Sequence, residues 1–446
     1  MPSPTTRVGT SVLRHRTTDI YSFVLAACDE NRGPPARSLA RSLTRHVDPI
    51  RSDELVFQDT QGDRIAVLSA DYGFRSGSGR LYMDSYGAVP RSIVELSVSN
   101  FKKELMALRR SVRMDEFREI SEASGNVGEM SFLRKTSYKL LSALREQLSK
   151  LDSYLEDENV LRKLDQPKNA LSDKLSEEQL RLLDQVRQLQ LDDAKVTQAE
   201  REREARDGRV EAPGIIRFTY NSLCWVLDVL YAGRPVQRFW VLETVARMPY
   251  FSYISMLHLY ESLGWWRAGA EVRKVHFAEE WNELHHLQIM ESLGGDQQWV
   301  DRFIAEHAAV FYYWVLVLMY AVSPSSSYAL SELIEHHASD TYTVFAEQNK
   351  ELLKTIPPPL VALNYYKSGD LYLFDQLQTE WVGQAPRRPD CNNLYDVFVN
   401  IRDDENEHVK TMHALKTNTL QVNGYSGAEG RIASLAEQSC WDEEED

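Results

Sequence analysis

An all-α chain is predicted, a helical bundle with two additional apolar helices, and three observations predict it. Beyond Pro213, six stretches of helical length are cut off almost everywhere by Gly or Pro. Two Glu-x-x-His pairs fall on two of these stretches, the spacing that puts both side chains on one helix face. The preceding half reads as further helix, with one short segment of strand-and-turn character.

The 446 residues are enough for two or three domains, and 43% hydrophobic residues are enough for a sizeable core. Residues 1–51 carry eight arginines against four acids, with many Ser and Thr, and are read as an organelle-targeting segment. From 54 to 84, LVF and RIAVL are separated by QDTQGD and SGSG, which suggests short strands and a small β element. From 92 to 206 the pattern is helical. Leu141, Leu144, Leu148, Leu151 and Leu155 form a stripe about two heptads long, too short for a coiled coil, so packing on the rest of the protein is expected. Pro167 interrupts the pattern, Ser176 and Gln179 suggest a capping box, and AEREREARDGR reads as a solvated helix or linker. A domain boundary is placed near Gly208–Pro213, making 52–207 a mainly helical accessory region. The six helices then run over about 216–232, 236–262, 270–293, 298–322, 327–355 and 394–416, with a long loop before the last. The main domain is 208–425, and 426–446 is an acidic tail.

The net charge of −15 argues against nucleic acid as a partner. Cys28, Cys224, Cys391 and Cys440 form no CxxC, hence no zinc or disulfide framework. The apolar run AAVFYYWVLVLMYAV, 308–322, is short for a membrane span and is either a buried core helix or a helix lying in one leaflet.

Of eleven histidines, only two have Glu three positions before: Glu283 with His286, and Glu405 with His408. Roughly one such match is expected by chance, so the count alone decides nothing. Position decides more. The pairs lie on the third and sixth helices, and the second and fifth each carry an acid in an apolar setting, Glu243 in FWVLETVA and Glu335 in LSELIEHHA. Two single Glu and two Glu-x-x-His on four helices is the ligand recipe of a ferritin-like carboxylate-bridged di-iron bundle. Oxygen and imidazole donors suit iron, and four carboxylates balance two Fe(II) ions.

LETVARMPYF, AEEWNELHHL, IEHHASDTY and NIRDDENEH resemble the four iron-binding motifs of the alternative oxidases. PYFSYISMLHLYESLGWWR and GDLYLFDQLQT resemble the plastid branch of that family, the plastid terminal oxidases. The resemblance covers about 215–416. It implies a non-proton-pumping quinol oxidase that couples oxidation of two quinols to reduction of O2 to water at two iron ions. Glu243, Glu283, Glu335 and Glu405 would be ligands, with His286 and His408 ligating or hydrogen-bonding at the site. Asn282 and Asp404 would orient the histidines, Tyr342 would be redox-active, and Arg238, Asp228 and Leu242 would lie around the quinol. Cys224 stands where mitochondrial members carry Arg. His285, His336 and His337 are read as supporting or packing residues, His337 being the most relevant. The resemblance further implies plastoquinol or a related quinol as substrate and monotopic attachment to the thylakoid surface of the chloroplast, and leaves a homodimer open. A ubiquinol oxidase of the mitochondrial inner membrane, a di-iron hydroxylase or desaturase, and an iron-binding scaffold remain as alternatives.

Overall fold

The computed structural model describes residues 57–68, 91–114, 132–164, 177–266, 270–368, 371–378, 387–417 and 419–420. The expected targeting segment, Pro167, Ser176 and the acidic tail lie outside them. The described residues form helices α1 (Ile93–Met114), α2 (Phe132–Asp157), α3 (Glu177–Arg187), α4 (Asp193–Asp207), α5 (Gly214–Tyr231), α6 (Pro235–Ser262), α7 (Ala270–Ser292), α8 (Trp299–Val322) and α9 (Pro324–Gln348). Three short ones follow, α10 (Lys350–Leu353), α11 (Leu360–Leu363) and α12 (Leu371–Leu377), before α13 (Leu394–Lys416).

Within 57–68, the described part of the expected β element, the chain forms a turn rather than a strand pair. Asp59 accepts from the backbone of Gln61 and Asp63, and one isolated bridge joins Gln58 to Arg64. No strand occurs among the described residues. The apolar residues that suggested strands, Phe57, Ile65 and Leu68, are instead buried in the bundle core.

The leucine stripe of α2 does not pack as expected. Leu144, Leu148 and Leu151 are exposed, and α2 meets α1 through its polar side. Buried Arg109 bonds Asp152 at 2.5 Å, and Arg113 bonds Asp152 and Glu156 at 2.9 and 2.6 Å.

The boundary expected near Gly208 does not separate two cores. Val186, Leu189, Leu191 and Val196 share one buried cluster with Phe239, Phe345 and Phe398. The charged α4, expected to be solvated, packs on α9, and its Arg203 pairs with Asp340 at 2.8 Å. Asp192 starts this helix by accepting from the backbone of Ala194.

α6 and α9 both open with Pro at a first-turn position, where the missing N–H costs nothing. Pro324 therefore starts α9, three residues before the expected 327, rather than stopping α8. α9 ends at Gln348, before the triple proline. Gly295 lets the α7–α8 turn lie against α6, since a Cβ there would sit 2.5 Å from Trp240 Cβ. Residues 360–368 and 371–377 are not loop: helix α11 runs into a π-helical turn, Asn364–Ser368, and α12 follows.

In the bundle, α9 lies along α13, α6 lies along both α7 and α8, and α7 touches α13. Phe239, Phe345 and Phe398 interlock at ring distances of 4.7 to 6.0 Å. Truncating one of them to Ala costs about 3–5 kcal/mol.

Candidate metal centre

α6 contributes Glu243, α7 Glu283 and His286, α9 Glu335, and α13 Glu405 and His408. All six are at most 2% exposed. Their ligand atoms form two sets, each with atoms within 4.8 Å of one another: Glu243, Glu283, His286 and Glu405; and Glu283, Glu335, Glu405 and His408. Glu283 and Glu405 belong to both. The two sets thus overlap in two carboxylates, and each adds one Glu and one His of its own.

The donor atoms face one another unsatisfied. His286 Nδ1 lies 3.2 Å from Glu405 and 3.7 Å from Glu243 and Glu283. His408 Nδ1 lies 3.0, 3.3 and 3.8 Å from Glu283, Glu405 and Glu335. Neither Nδ1, neither oxygen of Glu283 nor Glu243 Oε2 has a hydrogen-bond partner. Buried polar groups are normally satisfied, so these orphaned atoms fit bound metal. The protonation pattern agrees. Burial and the Glu283 charge push Glu243 up to about 8, and burial pushes Glu335 well above the carboxylate range. Burial opposes a charged imidazole, yet the surrounding carboxylates lift His286 and His408 well above normal. Without cations, protons stand in for them.

The ring of His286 is fixed from behind. Its Nε2–H donates to Asp404 at 3.1 Å, leaving Nδ1 aimed at the carboxylates. Asp404 also accepts from Asn282 at 2.9 Å, Tyr366 at 2.8 Å and Arg387. Burial disfavours its charge, but the Arg387 guanidinium and these donors hold it down at about 2. Asn282 thus reaches His286 through Asp404. His408 Nε2 has no partner among the described residues.

Two tyrosines cross between the terminal glutamates. Tyr342, on α9, donates to Glu243 on α6. Tyr250, on α6, donates to Glu335 on α9 at 2.7 Å. Each tyrosine follows the Glu of its own helix by seven residues, two turns. The repeated Glu…Tyr spacing was legible in the sequence, but Tyr250 was overlooked. Tyr366 and Arg387 were missed because they come from the segment read as a loop.

Arg238 is 1% exposed. It pairs with Asp228 at 2.9 Å and Asp193 at 2.8 Å, and its guanidinium lies 3.3 Å from His337 Nε2. Its Nε is buried without a partner. His337 Nδ1 in turn meets Glu200 at 2.6 Å, and Tyr220 donates to Glu200 at 2.8 Å. Asp193 and Glu200 both come from α4, whose charge pattern carries no apolar stripe to betray its packing. Leu242 is half-buried against the core, and Cys224 is half-buried with a free thiol. His285 stacks on Tyr365 at 4.3 Å, away from the ligand sets. His336 lines a cavity of about 900 Å3 with Arg203 and Lys416.

Four helices holding six buried Glu and His side chains in two overlapping sets define an all-α bundle with a carboxylate-and-imidazole metal site. Comparison with known proteins makes the class specific. The chain belongs to the alternative oxidase family, which it matches over residues 188–417. That match begins before α4, as the packing does. It is 54% identical over 204 residues, 46% of its length, to ubiquinol oxidase 4, chloroplastic/chromoplastic, of Arabidopsis thaliana, of which 58% is covered. It is 24% identical over 45% of its length to the mitochondrial ubiquinol oxidase 1a of the same plant, of which 50% is covered. Ubiquinol oxidase 1, mitochondrial, of Glycine max is 24% identical over 44% of this chain and 54% of its own length. The chain thus spans about half the length of the curated relatives it matches. No solved structure matches it.

Proposed function

We propose that this protein is a plastid quinol oxidase that oxidises two quinols, most fittingly plastoquinol, and reduces O2 to two waters at a di-iron centre. The observation that carries the proposal is the pair of overlapping ligand sets sharing Glu283 and Glu405. The similarity to a chloroplastic ubiquinol oxidase supports the substrate class and the plastid. Two bound iron ions would supply the reversible Fe(II)/Fe(III) couple that links the two half-reactions, and four Glu carboxylates balance their charge.

The chain's own residues do the rest. Asp404, ionised at neutral pH, holds His286 with a bare nitrogen toward the metal pair. Tyr342 and Tyr250 hold the terminal glutamates in place, and Tyr342, buried and bonded to Glu243, is the candidate for the redox role in turnover. Arg238, with an unpartnered Nε, is placed to donate to a quinol oxygen and stabilise negative charge as the proton leaves. Asp228, Asp193 and the His337–Glu200 pair fix that guanidinium, and Leu242 lines the same approach.

A lipid-soluble substrate calls for access from the bilayer. α5 exposes Ile215, Phe218, Trp225 and Val226, and α8 exposes Val310, Phe311, Trp314, Leu318 and Val322. At 24 residues, about 36 Å, α8 is long and apolar enough to cross a membrane, which the 308–322 run alone is not. Its length includes a first half carrying Asp301, Arg302 and Glu306. It also lies along α6, which holds Glu243 and Arg247, so crossing would draw charged bundle residues into hydrocarbon. Attachment to one leaflet through α5 and α8, on the thylakoid surface, is the reading these features support. Purified protein should take up O2 with a plastoquinol analogue and hold about two irons per chain. An iron-replete protein that hydroxylates or desaturates a substrate but oxidises no quinol would refute the proposal.

A further inference from the structure

The two tyrosines that bond the terminal glutamates sit in opposite surroundings. Tyr342 stacks on Phe239 at 4.3 Å, with Phe398 at 6.1 Å, and Phe345 packs on both phenylalanines. A phenylalanine ring does not readily give up an electron, so an oxidised Tyr342 has no neighbouring ring in this box to pass its deficit to. Tyr250 belongs to a separate cluster with Tyr253, Tyr320 and Tyr328, edged by Tyr260, which contains no phenylalanine.

The rings of that cluster form a continuous line. Tyr250 lies 5.2 Å from His408, and both Tyr250 and Tyr253 flank buried His276, at 6.3 and 5.3 Å. His276 is held by Glu279 and Tyr328 at its two nitrogens, 2.8 and 3.2 Å. Tyr253 lies 4.7 Å from Tyr328 and 5.3 Å from Tyr320. Tyr320 lies 6.1 Å from Tyr260, which lies 6.3 Å from Trp265. Trp265 is 72% exposed.

We propose that this line of rings is an escape route for oxidising equivalents, running from the metal centre through Tyr250, across the bridging His276 to Tyr253, and on through Tyr320 and Tyr260 to Trp265 at the surface. The inference rests on the di-iron oxidase reading. Its use arises when O2 reacts and quinol is too scarce to supply every electron. One electron then passes inward from ring to ring, and the oxidised site moves outward. Every tyrosine ends as the phenol it began as. The net change is one electron gained at the centre and one lost by the Trp265 indole, whose N–H proton leaves to water. A one-electron reductant in solution, such as ascorbate, restores the indole. The ligands and Glu243-bonded Tyr342 are thereby spared.

The test exposes reduced, iron-loaded protein to O2 without quinol and maps oxygen adducts on tryptophans by peptide mass spectrometry. Trp266, 48% exposed and adjacent, is the internal control. Wild type should carry adducts at Trp265 in excess over Trp266, and ascorbate should suppress them. Tyr260→Phe and Tyr320→Phe should each lose that excess while keeping wild-type quinol-dependent turnover. Iron content and O2 uptake with quinol, measured on the same samples, report separately on the oxidase reading. Equal adducts at Trp265 and Trp266, no adducts in wild type, or an excess unchanged in both variants would overturn the escape route.

Discussion

Asp404 is the residue whose loss the structure prices most clearly. It is fully buried and accepts from His286, Asn282, Tyr366 and Arg387. Asp404→Asn keeps the shape and removes the charge. Its carboxyl is held at about 2 against an ordinary 3.8. That depression corresponds to about 2–3 kcal/mol of folded-state stability. A depressed carboxyl contributes fully above its unfolded pKa and loses its contribution as pH falls through the folded value. The gap between metal-free wild type and variant should therefore be complete at pH 7 and shrink between about pH 4 and 2. By urea denaturation at pH 7 the variant should be less stable by about 2–3 kcal/mol, or melt roughly 2–4 °C lower. Iron affinity, measured by competition with a chelator, should fall about 10–100-fold, because His286 loses its orienting acceptor. A folded Asp404→Asn protein that binds iron like wild type would refute the claim that Asp404 sets the His286 ligand.

Arg238→Ala should lower quinol oxidation at least about tenfold, roughly 1.4 kcal/mol of transition-state stabilisation, with iron content unchanged; near-normal kcat/KM in iron-replete protein would place the quinol elsewhere. Deleting residues 1–207 should weaken the site's support, because Arg238 keeps Asp228 but loses Asp193, and His337 loses Glu200, and a folded truncation with undiminished activity would contradict the packing of α4. Phe311→Asp together with Trp314→Asp should release the protein from thylakoid-like vesicles in flotation assays without loss of bound iron, and unchanged flotation would count against α8 as the attachment face.

The buried Glu and His cluster was legible because the chemistry of a shared metal imposes a local spacing. Glu283–His286 and Glu405–His408 must share a helix face, and Glu243 and Glu335 stand out as acids among apolar neighbours. Helix ends were legible where Gly closes a turn, as at Gly233 and Gly294, and misleading where Pro324 opens a helix instead. What stayed hidden depends on contacts far apart in the chain. Nothing in AEREREARDGR announces that its helix clamps Arg238 and His337, because a charged helix paired with buried partners looks the same as a solvated one. Tyr366 and Arg387 flank no periodic pattern, and the π-helical turn that carries Tyr366 has no simple residue signature. Tyr250 was within reach, since its distance from Glu243 repeats that of Tyr342 from Glu335.

The most direct test of the central claim is the iron content of Glu283→Ala beside that of wild type. Glu283 is shared by both ligand sets, so its removal should weaken both cation sites at once. Wild type should hold about two irons per chain, and folded Glu283→Ala, its helicity confirmed by circular dichroism, should hold almost none and show no quinol-dependent O2 uptake. A folded Glu283→Ala protein that keeps its full iron and its oxidase activity would contradict the account.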